Sequence, residues 1–306
     1  MADAPGTATT GGAGGGAEDD RKRQRMGVAE IAPGVYRVAT GHGLAAVNVY
    51  LVRSGSGWVL IDTAWPGRGE LITAAAESVF GSGARPEAVA LTHIHPDHSG
   101  SALRLCRQWN LPVHVHPDEL VLAPGGYLPE YGNPLDRWLV APLLRLMPRR
   151  TVEASRSRNS LESVARAFDM ASGVPGLPDW QVVPTPGHTP GHVAFFRPAD
   201  RVLITGDAVL TVNVNSVRGL LGGGDTLAGP PWISTWNWPL ATRSITVLAS
   251  LGADVLACGH GRPITGPGTA GAMAALAGRL SRGATATPRG SPPTTVVASI
   301  GYMGRS

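Results

Sequence analysis

The sequence predicts a mixed α/β (α+β) protein in which sheet carries helices on its outside. Three observations lead there. Residues 31–61 read as consecutive strands separated by short turns. From residue 69 onward, helical stripes alternate with short apolar strands. Four loops rich in histidine and aspartate each follow the end of a predicted strand. Hairpins followed by alternating helix and strand describe a sheet covered by helices.

The elements follow in order. Residues 1–26 are Gly, Ala and Thr and then a charged run, too poor in apolar side chains to build a core, so a disordered tail is expected. It has no apolar stretch of the kind that marks a secretion signal. Met26 is an alternative start, because the folded pattern begins right after it. Residues 35–38 and 47–53 alternate as strands, and 58–61 are apolar throughout, as in a strand buried on both faces. Leu71, Ile72, Ala75, Ala76 and Val79 form one stripe of a helix over 69–80, which Gly81 and Gly83 end. A strand over 88–91 precedes a helix over 99–110 and a short strand over 112–116.

Residues 117–180 break this rhythm with repeated Pro and Gly. The apolar run 135–147 reads as helix up to Pro142 and again after it. This stretch is either an insertion covering one side of a site or an ordinary helical connection. Regularity returns with a strand over 181–183, a hairpin over 193–205, a helix over 240–251, a strand over 254–258 and a last helix over 270–281. The folded domain is therefore expected to run over 27–282, with a tail over 283–306.

Composition narrows the class. Among 306 residues, 43% are hydrophobic and 16% charged, an ordinary globular balance. No apolar run approaches the ~20 residues that span a bilayer; the longest candidate, 138–147, contains Pro142 and Arg145. The net charge of +4 comes from scattered arginines. Neither nucleic acid nor a membrane is expected as a partner. Two cysteines, Cys106 and Cys258, make no disulfide framework, so a reducing, cytoplasmic setting is expected. Cys258 is either near the site or a buried strand cysteine.

The chemistry concentrates in residues 92–98, Thr-His-Ile-His-Pro-Asp-His. His93 and His95 are two apart on an extended segment and face one side together. Pro96 keeps His95 extended, and Asp97 and His98 come round as a helix begins. Imidazole and carboxylate suit zinc, iron or manganese. His188, Asp207 and His260 end later strands in tight glycine-bearing loops. Seven ligand-type side chains exceed the needs of one zinc and suit two metals bridged by a carboxylate. His114 and His116 alternate on a strand with no third partner and read as ordinary strand positions. Trp232, Trp236 and Trp238 either line an apolar pocket or pack on the core.

The pattern resembles the metallo-β-lactamase-fold superfamily, in its hydrolase branch similar to glyoxalase II and lactonases. Residues 92–98 match the Thr-His-x-His-x-Asp-His motif in full, and His188, Asp207 and His260 match the later elements in order. The resemblance implies a four-layer αββα sandwich with the site at one edge. It implies that His93, His95 and His188 hold one divalent metal and that Asp97, His98 and His260 hold a second. Asp207 bridges, zinc is the first expectation, and iron or manganese are alternatives. It further implies hydrolysis of an ester, thioester or lactone by a bridging hydroxide, with Asp97 as the catalytic group that orients it or accepts its proton. Asp62 fixes the tautomer of a metal-bound histidine, while His192 reads as structural. The substrate is expected to be a small molecule with an apolar portion.

Departures narrow the branch. Too little chain follows His260 for the thiol-cofactor domain of glyoxalase II-like enzymes. Where acyl-homoserine lactonases place a tyrosine after the bridging aspartate, this sequence has Ala208, Val209 and Leu210. The basic elements of the tRNA-processing nucleases and the secretion signal of most true β-lactamases are not seen. Two rival readings remain: a persulfide dioxygenase-like enzyme with one iron on His93, His188 and Asp207, and a non-catalytic metal-binding protein.

Overall fold

The computed structural model describes residues 23–24, 26–215 and 227–285. Most of both expected tails lies outside them. The first sheet has seven strands in chain order: β1 (Val28–Ala32), β2 (Val35–Thr40), β3 (Val47–Ser54), β4 (Gly57–Ile61), β5 (Ala88–Ala90), β6 (Val113–Val115) and β7 (Ala165–Ala167). Strands β1 to β4 pair antiparallel and β4 to β7 parallel. Parallel neighbours need crossovers. These are α1 (Gly69–Phe80), then α2 (Pro96–Ser99) with α3 (Ala102–Trp109), then the segment holding α4 (Ala141–Leu146) and α5 (Arg149–Asn159).

The second sheet contains β8 (Gln181–Pro184), β9 (Val193–Arg197), β10 (Val202–Gly206), β11 (Val255–Cys258) and β12 (Ile264–Thr265), again as sequential neighbours. Helix α6 (Trp238–Ser250) crosses over between β10 and β11, and α7 (Thr269–Thr285) packs along α6.

Three buried clusters show why the sheets stack. Trp58 and Leu60 of β4 pack with Ile72 of α1 and Leu105 of α3. The alternate side chains, Val59 and Ile61, meet Val193, Phe195 and Ile204 of the second sheet. Leu203 and Leu256 turn to the far side, against Ile245, Leu248, Met273 and Leu276 of α6 and α7. The result is a four-layer αββα sandwich. Strands covered on both faces must be apolar at every position, which explains the unbroken run over 58–61.

Several elements differ from the sequence reading. The helix expected over 99–110 is two helices. Ser101 separates them by donating to the Trp65 carbonyl at 2.7 Å and accepting from the Arg68 N–H at 3.0 Å. Near Pro142 the chain stays helical. A wider π turn, Asp136–Val140, runs directly into α4, and so relieves the clash a proline ring makes with the preceding turn. Residues 149–159, inside the stretch whose rhythm breaks in the sequence, form α5, which buries no residue and so carries no apolar stripe. Met26, assigned to the tail, packs half-buried against the first cluster.

The two sheets are also pinned by polar contacts. The Tyr50 hydroxyl of β3 crosses the interior and donates to the Cys258 carbonyl at 2.6 Å. Asn48 donates to the same carbonyl at 2.9 Å and to that of Gly261 at 2.8 Å. This clasp holds the end of β11, from which His260 projects. Tyr50→Phe is expected to lower stability by about 1 kcal/mol, one net hydrogen bond, with the fold unchanged. Denaturant unfolding checks it.

Candidate metal centre

The site lies where strand ends from both sheets face each other. The loop after β5 supplies His93 and His95, and α2 directly after it supplies Asp97 and His98. The loop after β8 supplies His188, the end of β10 supplies Asp207, and the turn after β11 supplies His260. Their ligand atoms fall into two groups, each with all atoms within 4.8 Å of one another: His93, His95 and His188, and Asp97, His98, Asp207 and His260. Asp207 faces both. Its Oδ1 is 3.2 Å from His98 Nε2, and its Oδ2 is 3.6 Å from His188 Nε2 and 3.5 Å from His260 Nε2.

The far nitrogen of most of these rings is tied to a fixed partner. His98 Nδ1 meets Asp62 Oδ2 at 2.8 Å, His260 Nδ1 donates to the Ala46 carbonyl at 2.7 Å, and His188 Nδ1 meets the Thr235 hydroxyl at 3.1 Å. Such ties choose the tautomer and leave Nε2 to point inward. Asp62 also accepts the Thr92 N–H at 2.8 Å and the Thr92 hydroxyl, so it braces the histidine loop as well as His98. It does so with a backbone φ of 63°, in the left-handed region that costs a non-glycine residue free energy. His192 Nδ1 donates to the Thr185 hydroxyl at 2.7 Å, and its Nε2 accepts the Asp207 N–H at 3.1 Å. It therefore positions Asp207 from behind.

Two glycines make the approach possible. A Cβ at Gly259 would stand 2.3 Å from Asp207 Oδ1 and 2.7 Å from the His98 ring. Gly206 has φ of +50°, and a Cβ there would collide with Thr92 at 2.7 Å.

The two groups differ electrically. Burial first, then neighbouring histidines, hold His93 and His188 well below the usual imidazole range. Burial also lowers His95, and it drives His192 down to about 3. In the other group burial again opposes the charged ring, but carboxylates outweigh it. Asp207, Asp62 and Asp97 hold His98 well above its ordinary range, and Asp207 with Asp97 lifts His260 to about 10. Burial would raise Asp97, yet His98 and His260 hold it at about 2.

The donor set fits metal cations. His98 Nε2, His188 Nε2 and Asp207 Oδ1 are buried and make no well-aligned hydrogen bond, with the first and last facing each other only as an ion pair at 3.2 Å, an arrangement that a cation would complete. The seven side chains singled out in the sequence are brought together here, with Asp62 behind His98. His114 and His116 join neither group. Cys258 is buried in β11 and its thiol is pushed up by burial to about 12, which leaves it inert.

One supporting residue gave no signal in the sequence. Glu119, fully buried, accepts the Ile94 N–H at 2.8 Å, the Gly191 N–H at 2.9 Å and the Thr189 hydroxyl. It ties the loop of His93 and His95 to the loop of His188. Burial lifts its carboxyl to about 7 despite these bonds.

A cavity of about 390 Å³ opens beside His95 and His188. Leu103, Leu122, Val140 and Leu144 form apolar wall, and Tyr127, Tyr131, Asn133 and Asp136 add polar groups. Of the three tryptophans expected to line a pocket, only Trp236 reaches this cavity. All three line a separate depression together with Trp138.

Comparison with known proteins agrees with this geometry. The model of the metallo-beta-lactamase superfamily matches residues 42–260. The chain is 36% identical over 247 residues to the "Probable metallo-hydrolase YflN" of Bacillus subtilis, covering 78% of this chain and 90% of the relative. It is 26% identical over 245 residues to "Probable metallo-hydrolase YqjP" of the same organism, covering 75% and 71%. Among solved structures, the metallo-beta-lactamase family protein TTHA1429 from Thermus thermophilus superposes with a TM-score of 0.56 at 25% identity, covering 84% of this chain and 81% of that one.

Metal uptake at pH 7 is expected to release roughly two protons per chain, from His98 and His260. Calorimetry in buffers of different ionisation heat reads this directly. In the metal-free protein the folded-state pKa of His260 is raised, so its contribution to stability is complete below about pH 6.5 and is lost as pH rises through about 10. Glu119→Ala is expected to weaken metal binding by about 10–100-fold by loosening both histidine loops, measured by competition with a chromogenic chelator.

Proposed function

The chain belongs to the metallo-beta-lactamase superfamily, and from that premise we propose a dinuclear, metal-dependent hydrolase of an ester, thioester or lactone with an apolar portion. The observation that carries this is the pair of ligand groups sharing Asp207 beside a cavity with apolar walls. That the enzyme is a metal-dependent hydrolase follows from the family. The number of metals and the substrate class are the reading advanced here.

His93, His95 and His188 would hold one divalent cation, Asp97, His98 and His260 the other, and Asp207 both. Two cations so held supply a water nucleophile active at neutral pH and polarise the scissile carbonyl. The protein's own groups do the rest. Asp97 orients the attacking water by accepting a hydrogen bond from it, or takes its proton. Leu103, Leu122, Val140 and Leu144 exclude water from the apolar portion of the substrate, and Tyr127 and Tyr131 offer hydroxyl donors along the same wall.

The completeness of the second ligand group favours two metals over the single-iron dioxygenase reading. Zinc is the first choice in a site of nitrogen and oxygen donors, and iron or manganese are alternatives set by availability. Two buried, unpaired cysteines fit the reducing, cytoplasmic setting read from the sequence.

Protein purified without chelator is expected to carry about two metals per chain by elemental analysis. It should turn over members of an ester, thioester and lactone panel. His95→Ala and Asp207→Ala are each expected to lower kcat by at least about 10³-fold while far-ultraviolet circular dichroism stays native. One iron per chain, with oxygen uptake on a thiol persulfide, would replace this reading by the dioxygenase.

A further inference from the structure

The helical stretch over 136–146 is apolar on both sides. Its inner side carries Val140 and Leu144 to the cavity wall and buries Ala141. Its outer side exposes Trp138 at 68%, Leu139 at 59%, Leu143 at 54% and Leu146 at 84%. Trp232 and Ile233 extend the patch from another segment, with the Trp138 and Trp232 rings 5.8 Å apart. A surface helix of a water-soluble protein ordinarily turns polar side chains outward. An apolar patch of this kind on the surface marks an interaction site.

Charge says what covers it. Between Asp136 and Glu153 the chain has Arg137, Arg145, Arg149 and Arg150 and no acidic residue. All four are exposed, and none makes an ion pair among the described residues. A rim of arginine around tryptophan and leucine is the chemistry of a surface that rests on anionic lipid headgroups with its apolar side chains in the acyl boundary. A second copy of this chain is a poorer occupant. Two-fold pairing on this face would set four exposed arginines against their own copies, with Glu153, one turn from Arg149 and Arg150, as the nearest exposed carboxylate in the following helix.

We propose that the outer face of residues 136–146, with Trp232 and Ile233, docks on an anionic lipid surface. Spanning and lying on a bilayer are different demands. No helix among the described residues is long and apolar enough to cross a membrane, and docking needs none. The placement gives the same short helix contact with lipid on one side and with the cavity on the other. This inference concerns binding alone and stands independently of the hydrolase reading.

The test is flotation of the full-length protein with vesicles of phosphatidylcholine, alone or mixed with phosphatidylglycerol, at low and high salt. Binding is expected only to the mixed vesicles and weakens with salt. Arg149→Glu and Arg150→Glu are each expected to weaken it about fivefold or more, since each neutralised arginine alone is worth about that factor near a charged surface. Trp138→Ser with Leu146→Ser is expected to abolish flotation with thermal stability unchanged. Equal flotation of these variants and the parent would overturn the proposal. So would failure of the parent to float, or a dimer in sedimentation that the Trp138→Ser, Leu146→Ser variant disrupts.

Discussion

The centre depends on one unfavourable condition, which is that several nitrogen and oxygen atoms are buried at one place without hydrogen-bond partners. Removing polar atoms from water without compensation costs kilocalories each. A fold tolerates it only if each ring is prevented from turning away to find a partner. Here the outward nitrogens of His98 and His188 are occupied by Asp62 and Thr235, so the inward ones cannot turn away. The left-handed backbone at Asp62 is part of the same cost. It persists because Thr92 and His98 hold the carboxylate from two directions.

The two ligand groups are chemically unequal. One is three histidines kept neutral by burial, a donor set of imidazoles alone. The other surrounds two histidines with carboxylates, and without a cation those histidines carry the compensating protons. With Asp207 shared, one position would offer three nitrogens and one carboxylate and the other two nitrogens and two carboxylates, and two such positions need not prefer the same metal. Asp207 joins them, and its placement rests on His192 behind it and on the missing side chain at Gly259.

Much of this was legible in the sequence because the strongest ligands are local. His93, His95, Asp97 and His98 crowd into six positions, and a strand end followed by glycine flags His188, Asp207 and His260. The alternation of buried strands with a striped helix fixed most elements. What escaped had no local signature. Glu119 acts on Ile94, Thr189 and Gly191, far from it in the chain, and as a lone acidic residue it looks like any other. Helix α5 buries nothing, and β7 is three residues long with an arginine at its centre. The three tryptophans look equivalent on the page, yet tertiary packing sends only Trp236 to the cavity.

The order of the strands has a consequence for how the molecule is divided. The first sheet is made entirely of residues 28–167 and the second entirely of residues 181–265. Among the described residues no strand is exchanged between them. A cut in the connecting stretch would therefore leave two fragments, each with one whole sheet. Neither would keep a full ligand group: one would carry His93, His95, Asp97 and His98, and the other His188, Asp207 and His260. Any metal held by these side chains would then sit on the seam between the two halves, and reassembly of the halves would answer to metal as a rivet rather than as a bound guest.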